Sequence, residues 1–329
     1  MMDWLLFGIF IFLMLAGVAV VAVADLGMMS LPANVYTGIA KYPLMAIPVF
    51  VIAGLIFEKA GVAATIVRFA SALVGQRRGS LAIVAILVAM ILGGISGSGP
   101  ADSAAVGAVM LPLMLKAGYP RSFTAGVIAA AGSTDILIPP SIAFVIYSLL
   151  VPQASVPALF AAGMIPGILS GLTLILVAWW LSVRNNFEAE PAAPRPSFWQ
   201  SLKEAGWGLA APVIILGGMR SGFFTPTEAA VVAVFYGLLV GMVIYRTLRW
   251  KDVYQVLIES AEISSMILTV VALASVFAWG SNTLGTFDHP AATLLGTGLS
   301  EIPMLLSIQL LLLIAGMFLD AISIYFIFL

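Results

Sequence analysis

The chain alternates between long uncharged apolar runs and short clusters of charge, glycine and proline. Leu5–Ala24, Tyr42–Phe57, Leu159–Val183, Ala229–Tyr245 and Ser264–Leu284 read as membrane spans, with a further apolar run at Ala205–Met219. No positive region precedes Leu5–Ala24 and no small-residue cleavage site follows it, so it is expected to be a first span and not a signal peptide. Val62–Val74 carries one charge, Arg68, and is expected to lie along the membrane interface. Asp25–Lys41 reads as a loop, Arg184–Lys203 as a polar linker, and Asp252–Glu262 as an amphipathic segment ahead of its span. Asp288–Glu301 reads as a semi-polar stretch before a final apolar run that starts at Ile302.

The stretch from Gly93 to Tyr147 departs from this pattern twice. Within the apolar segment Ser80–Leu115, Gly93–Ser103 gathers four glycines, three serines, Pro100 and Asp102. Within Phe123–Val151, Gly132–Asp135 is followed by Pro139 and Pro140. Backbone that leaves the helix at membrane depth is tolerated only where protein buries it or a watery cavity receives it. Cations flank both ends of Ser80–Leu115, with Arg77 and Arg78 before it and Lys116 and Arg121 after it. A re-entrant hairpin, entering and leaving on one side, accounts for that placement. Phe123–Val151 then reads as a helix broken over Gly132–Pro140.

Charge orients this arrangement. With the hairpin ends in the cytoplasm, strict alternation places Lys41 and Arg220 outside and the rest of the 14 cations inside. The same topology predicts an inverted repeat. Tyr42–Phe57 runs inward before the first hairpin; Ser264–Leu284 runs outward before Pro303–Leu329, which enters from the opposite side. Gly316–Asp320 takes the place that Gly94 to Asp102 holds in the first half. Inverted repeats whose broken helices meet at mid-membrane are an architecture of secondary transporters. The first repeat is placed at 1–184, with its hairpin at 80–115 and its broken helix at 123–151. A polar linker covers 185–204, and 205–329 forms an incomplete second repeat whose hairpin starts at 303–329. Symmetry leaves on the order of 80 residues missing from that second half, so the sequence is expected to be C-terminally truncated.

Composition narrows the chemistry. In 329 residues, 62% are hydrophobic and 9% charged, and the mean hydropathy is +1.14, which describes a polytopic membrane protein. A net charge of −1 offers no basic face for nucleic acid. Without cysteine there is no thiol nucleophile or thiolate-held metal, and a single histidine cannot build a histidine metal site. No nucleotide-binding glycine loop ending in Lys-Ser or Lys-Thr is present.

The polar residues that remain cluster at the two breaks. Ser96, Ser98, Asp102, Ser133 and Thr134, with carbonyls freed by unwinding at Gly97 and Gly132, offer hard oxygen ligands that suit sodium. Singly, serine and glycine in membrane helices are packing residues. Asp102 is different, because an ionisable group at that depth is costly and marks function by default. Asp320 follows the same logic in the second half. Asp135 reads more simply as a cap for the half-helix after it. Thr225-Pro226-Thr227-Glu228 has the form of a helix N-terminal cap, and Glu228 is also a candidate for the transport pathway. That pathway is expected along Ser98, Ser103, Pro139, Pro140 and Glu228. Gly94-Ile95-Ser96-Gly97 matches the serine motif of intramembrane proteases, with His289 as base. The topology places His289 on the outer side, away from the hairpin, and no enzyme activity is expected.

Taken in order, Gly94–Ala105, Ile138–Ser141, Gly217-Gly218 to Phe224–Ala230, and Gly316–Asp320 resemble the large membrane subunit of the tripartite ATP-independent periplasmic (TRAP) transporters, over about Trp4–Leu329. The resemblance implies an all-α inverted-repeat fold of the ion-transporter superfamily, with two re-entrant hairpins and discontinuous helices, working as an elevator. It implies sodium-coupled import of an organic acid, such as sialic acid or a C4-dicarboxylate, with sodium as coupling ion and no cofactor. A periplasmic binding protein would deliver the substrate, and a small four-helix membrane subunit would pack alongside in the lipid of the bacterial inner membrane. Ser96, Gly97, Ser98 and Asp102 with Gly132, Ser133 and Thr134 would form one sodium site, and Asp320 would belong to a second. The family has a more apolar pair where Ser133-Thr134-Asp135 stands. The alternatives are a stand-alone sodium- or proton-coupled anion carrier, a passive channel, and the protease built on Ser96 and His289.

Overall fold

The computed structural model describes residues 29–151, 153–187, 196–285 and 300–317, with isolated positions 15, 18, 19, 21, 22, 296, 321, 324 and 325. Among the described residues the secondary structure is helical, without strands. The helices are α1 (Ser30–Ile39), α2 (Ala46–Lys59), α3 (Val62–Val74), α4 (Ser80–Ser96), α5 (Gly99–Lys116) and α6 (Arg121–Asp135). They continue as α7 (Ile142–Leu150), α8 (Val156–Arg184), α9 (Phe198–Arg220), α10 (Pro226–Leu238), α11 (Trp250–Thr283) and α12 (Glu301–Gly316). Tyr42–Lys59, Val156–Arg184, Pro226–Ile244 and Trp250–Gly280 are each long and apolar enough to cross a membrane. On α8, Ile165, Leu169, Leu172, Leu176 and Trp180 are exposed, which is the surface of a protein solvated by lipid. All-helical among the described residues, the chain is a polytopic membrane protein.

The larger of two compact units comprises Met45–Ser148 and Gln153–Glu262. Its centre is α4, an uncharged helix whose Ala82, Val84, Ala85, Ile86, Val88 and Ala89 are all buried. A helix that is apolar on every side has to be surrounded, and α2, α3, α5, α6 and α8 pack on it. α9 lies on α3, and α10 lies on α2. The smaller unit holds Met1–Leu44, Leu149–Pro152 and Ile263–Leu329. There, Gly38 of α1 abuts Ser275, whose hydroxyl donates to the Asn34 carbonyl at 3.3 Å.

Several boundaries differ from expectation. Ser30–Ile39 is a helix inside the expected loop, stabilised by Asn34 and Thr37, which donate back to the Ser30 and Ala33 carbonyls. The amphipathic segment and the span after it form one helix, α11, of 34 residues. Its polar positions from Glu259 to Ser265 include no glycine or proline, so they change the helix's surroundings without ending it. α3 has the expected bounds, but Val62, Ile66, Val67 and Ala70 are buried against protein, and Arg68 pairs with Glu204 at 3.1 Å. Polarity past Arg184 gives way to helix at Phe198. The expected final hairpin is described only as α12 and Met317; Asp320 and the rest of that motif lie outside the described residues, as does most of the first span.

Candidate ion and substrate site

The first break is smaller than the glycine count suggests. α4 continues through Gly93 and Gly94 to Ser96, and only Gly97 and Ser98 leave the helix. Gly97 takes φ 64°, a left-handed conformation that costs a side-chain-bearing residue energy, while its N–H still reaches the Gly93 carbonyl at 3.1 Å. Ser98 is extended, and Gly99-Pro100 starts α5 where proline's missing N–H is harmless. Asp102 falls in the first turn of α5, where the helix dipole favours negative charge. The Ser96 hydroxyl donates to Asp102 Oδ2 at 2.6 Å and accepts the Ser98 N–H at 3.1 Å. Both side chains are buried, so the tip holds a short hydrogen bond between hydroxyl and carboxylate out of water.

The second break also starts later than expected. α6 runs through Gly132, Ser133 and Thr134 to Asp135, and the chain is irregular over 136–141 before α7. Glycine before an exit is compatible with helix when neighbours hold the segment, and here α4, α5 and α8 do.

The two breaks interlock through glycine. A Cβ on Gly97 would collide with the Pro140 carbonyl, and the Gly97 carbonyl accepts the Ile142 N–H at 3.4 Å. A Cβ on Gly99 would stand 2.6 Å from the Gly132 carbonyl, and one on Gly132 would overlap the Ser103 hydroxyl. On α4, a Cβ on Gly93 would lie 2.7 Å from Asp135 Cβ. These positions are glycine because a backbone carbonyl or a neighbouring side chain already stands where a Cβ would go.

Ser96, Gly97, Ser98, Asp102, Ser103, Gly132, Pro139 and Pro140 are therefore gathered at one junction. Ser133 is not: it is exposed, and its hydroxyl donates to the Ala130 carbonyl at 2.7 Å. Thr134 is buried beside the junction, with its hydroxyl directed mainly to the Ala131 carbonyl at 2.7 Å. Glu228 is exposed and occupied in a capping box: it accepts the Thr225 N–H at 2.8 Å, while its own N–H donates to the Thr225 hydroxyl at 3.3 Å. Phe224, just before it, folds onto Gly218. Asp320 and His289 lie outside the described residues.

Sequence reasoning missed two contributors and misplaced a third. Gly54 of α2 lets that helix approach Ser96, whose Cβ would be 2.8 Å from a Cβ on Gly54. One turn on, Glu58 joins Gly54, Ile95, Ser96, Ala101 and Asp102 around a small recess at the hairpin tip. Its place at the end of a span read only as a membrane boundary. Asp135 is not the cap of the next half-helix; Ser141 is, accepting the Phe144 N–H at 3.4 Å. A hydroxyl directly before an apolar run was the available signal.

The whole of residues 1–329 matches the family described as the tripartite ATP-independent periplasmic transporter, DctM component. The C4-dicarboxylate TRAP transporter large permease protein DctM of Pseudomonas aeruginosa is 40% identical over 291 residues, covering 88% of this chain and 68% of that protein. The 2,3-diketo-L-gulonate TRAP transporter large permease protein YiaN of Escherichia coli K12 is 43% identical over 242 residues, 74% of this chain and 57% of that one. The isethionate TRAP transporter permease protein DctMQ of Oleidesulfovibrio alaskensis is 37% identical over 292 residues, 88% of this chain and 45% of that one. This chain thus spans 45% to 68% of the length of these relatives. All three are named as transporter permeases and not as enzymes, which removes the protease reading of Ser96. A multi-pass protein of the bacterial inner membrane, the chain belongs to the DctM component of the TRAP transporters.

Proposed function

We propose that this protein is the membrane permease of a sodium-coupled importer of an organic acid. The observation that carries the reading is the junction itself, where two helix breaks close on each other around a buried hydroxyl and carboxylate, Ser96 and Asp102. The donors there are hard oxygens, and a carboxylate aimed into a recess at membrane depth has little structural use. Ser96, Asp102 and the Gly97–Ser98 backbone would hold the ion, with Thr134 and the Gly132 carbonyl behind it. The substrate carboxylate would lie toward Ser98, Ser103 and the Pro139–Pro140 turn, and Asp320 would serve a second ion. By the family's name the substrate arrives from the periplasm without ATP. A binding protein would hand it over, and a small membrane subunit would stand beside this one, as the name DctMQ implies for the fused relative. C4-dicarboxylates and sialic acid are the acids to try first. The two hairpins and two broken helices would form the moving part of an elevator and the interface helices and outer spans its scaffold, with each repeat, 1–184 and 205–329, contributing to both across the linker at 185–204.

Thermal unfolding in detergent tests the ion, with sodium exchanged for potassium at constant ionic strength. A ligand that binds only the folded form stabilises it by about 2.7 kcal/mol at a hundred times its Kd. Sodium is expected to raise the melting temperature saturably, potassium is not, and Asp102→Ala should remove the difference. Equal effects of the two cations on the wild type would end the sodium reading and bring proton coupling forward.

A further inference from the structure

We propose that Asp135 is a second carboxylate ligand of the cation at the hairpin tip, acting with Asp102 and Ser96. The inference rests on the sodium reading above and extends it to a residue that reading does not use. Asp135 is 0% exposed, and its Oδ2 has no hydrogen-bond partner among the described residues. Its Oδ1 has one long contact, 3.4 Å from the Thr134 hydroxyl. A buried carboxyl oxygen without a donor is among the costlier things a membrane protein can contain.

Among the described residues, the elements packed against Asp135 bring no cation to it. Asp102 is close enough to act on Asp135 electrostatically, and Glu58 acts in turn on Asp102. The elements packed on α6 are α4, α5 and α8. α4 has no ionisable residue, α8 has only Arg184 in its last turn, and α5 adds only Asp102 and Lys116. Lys116 is fourteen residues from Asp102 along α5, and Arg121 is fourteen from Asp135 along α6; at 1.5 Å per residue each cation is about 21 Å away. Lys59 and Arg68, the cations that form ion pairs among the described residues, bind Glu259 and Glu204.

A proton would neutralise Asp135, but its O–H would find only the Thr134 hydroxyl, 3.4 Å from Oδ1, as acceptor, and Oδ2 would still lack a partner. A desolvated monovalent cation needs acceptor oxygens only. The junction brings it two carboxylates and a hydroxyl from three positions that the sequence separates, Ser96, Asp102 and Asp135. The tight seat of Asp135 against Gly93 ties its position to α4, so cation binding would clamp the broken helix to the hairpin.

The test is the same sodium titration of melting temperature on the full chain, comparing wild type, Asp135→Asn, Asp135→Ala and Asp102→Asn. Asp135→Asn should fold, with a sodium-free melting temperature no lower than wild type, since it removes an uncompensated charge. Its sodium midpoint should rise at least about tenfold. If Asp135→Asn does not fold, Asp135→Ala must show the same rise. Wild-type midpoints in the Asp135 variants, with sodium response lost in Asp102→Asn, would overturn this inference and leave the sodium reading standing. A wild type indifferent to sodium would overturn both.

Discussion

Gly97 shows how much of this site is backbone. Its left-handed φ of 64° and the Pro140 carbonyl standing where a Cβ would go are separate obstacles to any side chain. The first costs about 1–2 kcal/mol and the overpacking about 1–3 kcal/mol, so Gly97→Ala should lose several degrees of melting temperature and its sodium response together. Gly126, inside α6 with no atom within 4 Å of a built Cβ, is the control. Gly126→Ala should be neutral or gain up to about 1 kcal/mol from helix propensity. A Gly97→Ala protein as stable as Gly126→Ala would show that the two breaks do not meet in the membrane. The sequence announced both glycines equally; only the partner across the gap tells them apart.

At the scale of elements, the hairpin carries the clearest expectation. α4 and α5, of 17 and 18 residues, pack on each other across the two-residue break, and cations flank the pair at both ends. Their outer ends, marked by Arg77 and by Ser122, should therefore share one side of the membrane. The protein has no cysteine, so Arg77→Cys and Ser122→Cys can be labelled one at a time with a membrane-impermeant maleimide. Both positions are exposed and should react from the cytoplasm, while Ser221→Cys should react from the periplasm. Labelling of Arg77→Cys and Ser122→Cys from opposite sides would exclude a re-entrant element. Elements were legible wherever apolar runs were bounded by charge, which is why α3 and α8 came out with ends at or near those expected. They were misread where polarity was taken for a boundary, as between Glu259 and Ser265, because a helix ends at backbone-breaking residues and not at a change of solvent.

At the scale of the whole molecule, transport should depend on an assembly and a gradient. A tenfold sodium gradient supplies about 1.4 kcal/mol per ion, enough for tenfold accumulation of a neutral load at one ion per cycle. In proteoliposomes holding the permease with a small membrane subunit, and with binding protein outside, uptake of a C4-dicarboxylate or sialic acid should require inward sodium. Removing the binding protein should stop it. Uptake by the permease alone would identify a stand-alone carrier, and flux without a gradient requirement would identify a channel.

The residues along the chain were sufficient for the membrane class, the cation asymmetry and the motifs that mark the family, because each depends on composition or on neighbours a few positions apart. They also identified Asp102, since a carboxylate deep in an apolar run is anomalous without any structure. The extent of the breaks, the departure of Ser133 to an exposed face, the approach of Gly54 and Glu58, and the isolation of Asp135 were not legible. Each is set by what arrives from a distant segment, and whether a buried carboxylate is capped, paired or left to bind an ion depends on that arrival.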